Sequence, residues 1–140
     1  MRETSTALLI TITIFLTAAC AANSKPPKPP KPPESTVLDQ ILTEHNFRIG
    51  EEVERISDIR MDERIYVDPK NLLIPAEGDQ HYLVALREPC YGLKTQKIVL
   101  RNGTYKALKK LDRISTMYRG RSAATCWVDA IYQLEKLQEN

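Results

Sequence analysis

Few side chains in this 140-residue sequence are of a type that does chemistry, and their spacing narrows what that chemistry can be. There are three cysteines, Cys20, Cys90 and Cys126, and two histidines, His45 and His81. A zinc site needs three or more converging ligands, and a nucleophile needs a base beside it. The histidines are far apart in sequence, and there is no His-Glu-x-x-His, Cys-x-x-Cys or Gly-x-Ser-x-Gly. Five glycines are too few and too scattered for a phosphate-cradling loop. No cofactor and no metal is therefore expected. His81 sits beside Tyr82 in a strand pattern and faces the other way, as a surface or edge residue. Glu51, Glu52 and Glu54 read as a solvated acidic stretch. Carboxylates can converge from anywhere in a chain, so an enzyme acting through carboxylates or His81 stays open as an alternative.

The cysteines carry more information. Arg2 precedes an uncharged apolar run of 12 residues, Ala7 to Ala18, with small residues after it. That is the pattern of a secretory signal. Extended through Ala22 the run is 16 residues, short of the ~20 that cross a bilayer. Leu16-Thr17-Ala18-Ala19-Cys20 resembles a bacterial lipobox, with Thr17 where leucine is usual. The resemblance implies a signal peptide over residues 1–19 and a diacylglycerol thioether on Cys20, with fatty chains such as palmitate inserted in a membrane. Two or three chains at ~0.8 kcal/mol per buried methylene hold where one chain would not. Ala21 after the cysteine resembles lipoproteins of the Gram-negative outer membrane, which face the periplasm. The alternative is ordinary cleavage after Ala19 or Ala21, giving a secreted or soluble periplasmic protein.

Residues 20–34 hold the anchor site and a linker. Its core, Lys25-Pro-Pro-Lys28-Pro-Pro-Lys31-Pro-Pro, repeats every three residues. A polyproline II helix has three residues per turn, which aligns Lys25, Lys28 and Lys31 along one edge about 9 Å apart. Such a rod, from Ala21 to Ser35, can hold a domain roughly 40 Å from a surface. The lysines serve either to bind anionic headgroups or cell-wall polymer, or simply to keep the spacer solvated; the second is the simpler reading.

Leaving out the charges before Ser35, the remaining chain has 16 basic and 16 acidic residues. A neutral domain, with nine aromatics in the whole chain, is not expected to bind nucleic acid. Residues 35–140 read as one globular domain. Val37, Leu38, Ile41 and Leu42 share a helix face behind a Ser35 cap. Strand patterns then dominate. Arg64 to Val67 and Leu72 to Ile74 flank Asp68-Pro69-Lys70-Asn71, a hairpin turn. A second turn at Glu77-Gly78-Asp79 leads to a strand with Tyr82, Val84 and Leu86 on one face. Lys97 to Leu100 runs into Asn102-Gly103, a hairpin signal. Tyr105, Leu108 and Leu111 have helical spacing, which predicts a helical turn before a strand at Arg113 to Met117. The last segment is ambiguous: Cys126, Val128, Ala130 and Tyr132 would share one face of a strand, and Trp127, Ala130, Ile131 and Leu134 one face of a helix, the favoured reading being a strand that ends in a helical turn.

The expected fold class is α+β, mainly β: a small antiparallel sheet of hairpins with one or two short helices. With Cys20 taken by lipid, Cys90 and Cys126 remain as an even pair, and an exported chain meets oxidising conditions. A bridge would close a loop of about 37 residues and contribute roughly 4 kcal/mol. Two exposed reactive thiols are the alternative, and no basic cluster close by lowers their pKa.

Arg55-Ile56, the hairpin at Arg64 to Ile74, His81 to Leu93, Leu111 to Ile114 and Cys126 to Leu134 together resemble a family of small uncharacterised bacterial envelope proteins. Its members pair a Tyr-Leu strand and a Cys-x-x-Leu turn with a late cysteine. The matching positions are Tyr82, Leu83, Leu86, Cys90, Leu93, Asp112, Ile114, Cys126 and Ile131. The resemblance implies the strand order and a Cys90 to Cys126 bridge, and no activity. Among exposed candidates, Arg87, Glu88 and Tyr91 sit on a turn that such a bridge would pin, a platform suited to recognition; the simpler role of that turn is to place Cys90. The reading that results is a membrane-anchored, non-enzymatic interaction or structural module meeting an envelope protein or cell-wall partner. A small-ligand module using the concave face of the sheet is a further alternative.

Overall fold

The computed structural model describes residues 31–101 and 106–138. Cys20, Lys25, Lys28 and the expected Asn102-Gly103 turn lie outside these, with the rest of the expected signal and most of the expected linker. Lys31 is described, and it forms an exposed ion pair with Glu34.

The expected helix is present as α1 (Thr36–Glu44). Ser35 keeps an extended backbone and its hydroxyl accepts from the Leu38 N–H at 3.5 Å, which marks the start. Leu38 and Leu42 are buried while Val37 is exposed, so the buried stripe is narrower than the sequence pattern. The helix stops where Asn46 takes φ 55°, and the chain enters β1 (Phe47–Glu52) and β2 (Arg55–Ser57).

Two expected hairpins follow. β3 (Ile65–Asp68) turns into β4 (Asn71–Pro75), and the Asp68 carboxylate accepts from the Lys70 N–H at 2.8 Å to close the turn. β4 turns into β5 (His81–Leu86) through Gly78 at φ 71°, a left-handed conformation that glycine adopts without a Cβ clash. After β6 (Lys97–Leu100), the helical turn expected around Leu108 is instead a short strand, β7 (Ala107–Lys109), paired antiparallel with β2. Leu108 is buried and Leu111 exposed, so the two do not share a face. A remote strand offers this segment a backbone partner that helical spacing cannot reveal. β6 likewise pairs with β8 (Arg113–Tyr118), across the whole segment holding β7.

The last segment is a strand throughout, β9 (Arg121–Lys136), with no helical turn at its end. It organises the seven-stranded antiparallel sheet, whose order is β3-β4-β5-β9-β8-β6 with β1 also on β9. Its first half pairs with β8, its second half with β1, and β5 runs along the opposite edge. Ala85 faces Ala130 but Leu86 faces Val128, so Asp129 is an extra residue, a β-bulge. The bulge corrects the expected alternation. Cys126, Val128 and Ile131 point into one core, and Ala130, Tyr132 and Leu134 into another on the opposite face.

The larger core fills the inner side of a curled sheet, with Leu72, Ile74, Val84, Leu93, Ile114 and Ile131 among its buried members. β2 and β7 contribute Ile56 and Leu108 to it. The smaller core lies on the outer side, where Leu38 and Leu42 of α1 cover Leu73, Leu83 and Ala130. The outer face is apolar only as far as α1 reaches.

Candidate functional site

The turn after β5 is built from the disulfide outward. Cys90 and Cys126 are bonded, with their Cα atoms 5.8 Å apart, and both are buried. The Cys90 N–H donates to the Pro69 carbonyl at 2.7 Å, tying this turn to the β3–β4 hairpin. Gly92 has φ 83°, and the Thr95 and Gln96 N–H groups both donate to its carbonyl, at 3.3 and 2.9 Å. The positive φ reserves the position for glycine, and a Cβ there would also have to push aside the end of the Gln96 side chain, 2.4 Å away.

Arg64 latches the far side of the turn. Its guanidinium donates to the Leu93 and Gln96 carbonyls, the shortest bond being 2.8 Å. Burial lowers its pKa, against the opposing charge of Asp62. The buried Thr116 hydroxyl donates to the Tyr91 carbonyl at 2.9 Å. Tyr91 therefore projects from a fixed backbone with its side chain in solvent, 81% exposed.

Arg87 and Glu88 are exposed on the approach to this turn. Among the described residues, no hydrogen bond or ion pair joins the side chains of Arg87, Glu88 and Tyr91 to one another. The turn is thus a pinned platform, with its three expected recognition residues all exposed on it.

A better-defined arrangement lies beside it. Arg113 is directly opposite Trp127 on β8 and β9. The Arg101 N–H donates to the Arg113 carbonyl and the Arg87 N–H to the Trp127 carbonyl, both at 3.0 Å, which continues the register outward on each side. Arg101, Arg113, Trp127 and Arg87 therefore form one row across four adjacent chain segments. Their neighbours Leu100, Ile114, Cys126 and Leu86 point to the inner core, so the row stands on the outer face. All four are exposed, Trp127 at 38%. The Arg113 guanidinium lies 5.2 Å from the centre of the Trp127 ring, a cation–π contact. Arg87 has an exposed, loose ion pair with Asp129, at 3.8 Å.

Arg101, Arg113 and Trp127 were not among the expected site residues. Domain neutrality hid them: between Lys94 and Arg121 there are nine basic residues and one carboxylate, Asp112, balanced by acidic residues elsewhere. Asp112 is itself buried, accepting from the Lys109 N–H at 3.0 Å. That uneven run was the available signal.

The other candidates for chemistry lie away from this row. His81 packs its ring 4.7 Å from Phe47, and its Nδ1 lies 3.1 Å from the Asp79 carbonyl. His45 stacks on the same Phe47 at 6.3 Å. The fold thus brings both histidines to one aromatic ring. Asp79 is held below the usual carboxylate range, first by its hydrogen bond from Lys136. Lys110 is raised, first by its 2.6 Å hydrogen bond to Glu52. Among the described residues no three His, Cys, Asp or Glu side chains converge as metal ligands. The concave face of the sheet, where a small ligand was one alternative, is filled by the larger core. No helix of the described residues is long and apolar enough to cross a membrane.

Residues 3–140 match a family of unknown function, DUF6491. The chain belongs to that family. No curated protein matches the chain, and no solved structure does. Membership in DUF6491 agrees with the expectation of an uncharacterised family. The fold also explains the positions that carried it: Leu83, Leu86, Cys90, Leu93, Asp112, Ile114, Cys126 and Ile131 are all buried, and Tyr82 is half-buried against the larger core. Those positions follow packing and the disulfide rather than a reactive centre.

Proposed function

We propose that this DUF6491 protein is a membrane-anchored envelope lipoprotein whose domain is a non-enzymatic interaction module. Lipid on Cys20 holds it at the membrane, with the outer membrane, facing the periplasm, as the favoured site. The Lys25, Lys28 and Lys31 rod holds the domain off the surface. The pinned turn and the outer face beside it meet a protein or cell-wall partner.

The observation that supports this reading is the pairing of the cysteines. Cys90 is bonded to Cys126, so the odd cysteine is Cys20, the one in the lipobox-like segment. A buried structural disulfide also suits a chain exported to an oxidising compartment. Histidines packed against the Phe47 ring and a filled concave face favour interaction over catalysis.

The test is Cys20→Ser. The expected outcome is loss of the lipid mass adduct and transfer of the protein from the membrane to the soluble fraction. A variant that stays membrane-bound would overturn the anchor. In-cell crosslinking with mass spectrometry is expected to recover the partner through peptides from the 87–91 turn and its neighbouring face.

A further inference from the structure

We infer that the Arg101, Arg113, Trp127 and Arg87 row is a docking face for an acidic polysaccharide, a linear glycan with carboxylates on successive sugars. This rests on the interaction-module reading and names the chemistry of the partner.

Adjacent strands lie about 4.8 Å apart. Arg101 and Arg113 are therefore one strand spacing apart, and Arg113 and Arg87 two, with the indole between them. A straight line of cations on an open sheet face fits a ligand that is itself extended and regularly charged. Guanidinium pairs with carboxylate through two parallel hydrogen bonds. A guanidinium held over a ring by its charge keeps N–H donors for an anion, which is the position of Arg113 on Trp127. Among the described residues neither Arg101 nor Arg113 has an ion pair, and the Arg87 pair with Asp129 is exposed and long enough to yield cheaply. Trp127 adds a flat apolar surface on which the C–H face of a sugar can rest.

Other polyanions fit less well. Single-stranded nucleic acid is held by successive aromatic platforms, and this row offers one. A lipid surface favours apolar side chains that insert below the headgroups. Beside the row the same face carries the exposed Thr125, whose hydroxyl is bonded at 2.9 Å to that of the buried Ser115.

Trp127 is the only tryptophan in the chain, so its fluorescence reports this face directly. Full-length protein in detergent is titrated with a galacturonic acid decamer, and with neutral dextran of similar length, at low and moderate salt. The decamer is expected to bind, shift the Trp127 emission and weaken with salt, while dextran does neither. The double variant Arg101→Gln, Arg113→Gln is expected to lose at least tenfold in affinity with an unchanged thermal melt. Arg113→Lys, which keeps the charge but not the fork, is expected to fall between the two. The inference is overturned by equal binding of dextran, by saturation without a change in Trp127 emission, or by wild-type affinity in the double variant. Tighter binding of oligo-dT or phosphatidylglycerol vesicles would also overturn it. Membrane release by Cys20→Ser is scored separately, so loss of decamer binding removes the glycan and leaves the anchored module standing.

Discussion

Asp79 and Lys136 are 57 residues apart, and their side chains meet where β5 begins and β9 ends. The hydrogen bond from Lys136 is the main cause that holds Asp79 below its ordinary range, followed by the charge of the same group. A depressed carboxylate pKa contributes stability above the unfolded value of about 3.9, lost as pH falls through the folded value. The pair is fully exposed and screened by salt, so its share is small. Lys136→Met is expected to raise the Asp79 midpoint toward the ordinary range in a carboxyl NMR titration; an unmoved midpoint would assign the depression to another group. Contacts of this kind were not legible in the sequence. Neither was the Thr116 hydroxyl on the Tyr91 carbonyl, nor Arg64 on Leu93 and Gln96, because each depends on long-range register. The Ser35 cap and the Asp68 turn were legible, since both act within three residues.

The elements divide along the same line. α1 and the two hairpins from β3 to β5 follow from local spacing and turn residues. β7 does not, because its strand state depends on β2, which ends 50 residues earlier. The Asp129 bulge was equally hidden: simple alternation carries Ala130 and Tyr132 to the wrong face, and only pairing with β5 shows the extra residue. Deleting Asp129 makes Ala130 follow Val128 directly, so alternation alone should then keep Ala130 and Tyr132 outward and Ile131 inward. The expected result is a cooperative urea transition for the deletion variant, and Asp129→Asn, which keeps the bulge, should change stability by no more than about 0.5 kcal/mol. A deletion variant that loses cooperative unfolding would show that Asp129 is not the surplus residue.

For the molecule as a whole, the disulfide closes a large loop in a small domain. Its removal through Cys90→Ala, Cys126→Ala is expected to cost roughly 4 kcal/mol, against the 5–15 kcal/mol typical of a native domain. The urea midpoint of the double variant should coincide with that of the reduced wild type, and a midpoint equal to that of the oxidised protein would deny the bridge a stabilising role. The cysteine pair was legible by counting. The charge pattern was not, because a sum over the domain erased the separation between its basic run and its acidic parts.

β9 follows β1, β5 and β8 in the chain, yet it is the partner of all three. Until it arrives, the hairpins from β3 to β5 can form, but the sheet cannot close and Cys90 has no Cys126 to meet. Assembly is thereby postponed to the end of the domain. Under the export proposed above, a chain crossing a membrane as an open thread would gain from that delay, since the lock that would prevent threading is the last part to arrive.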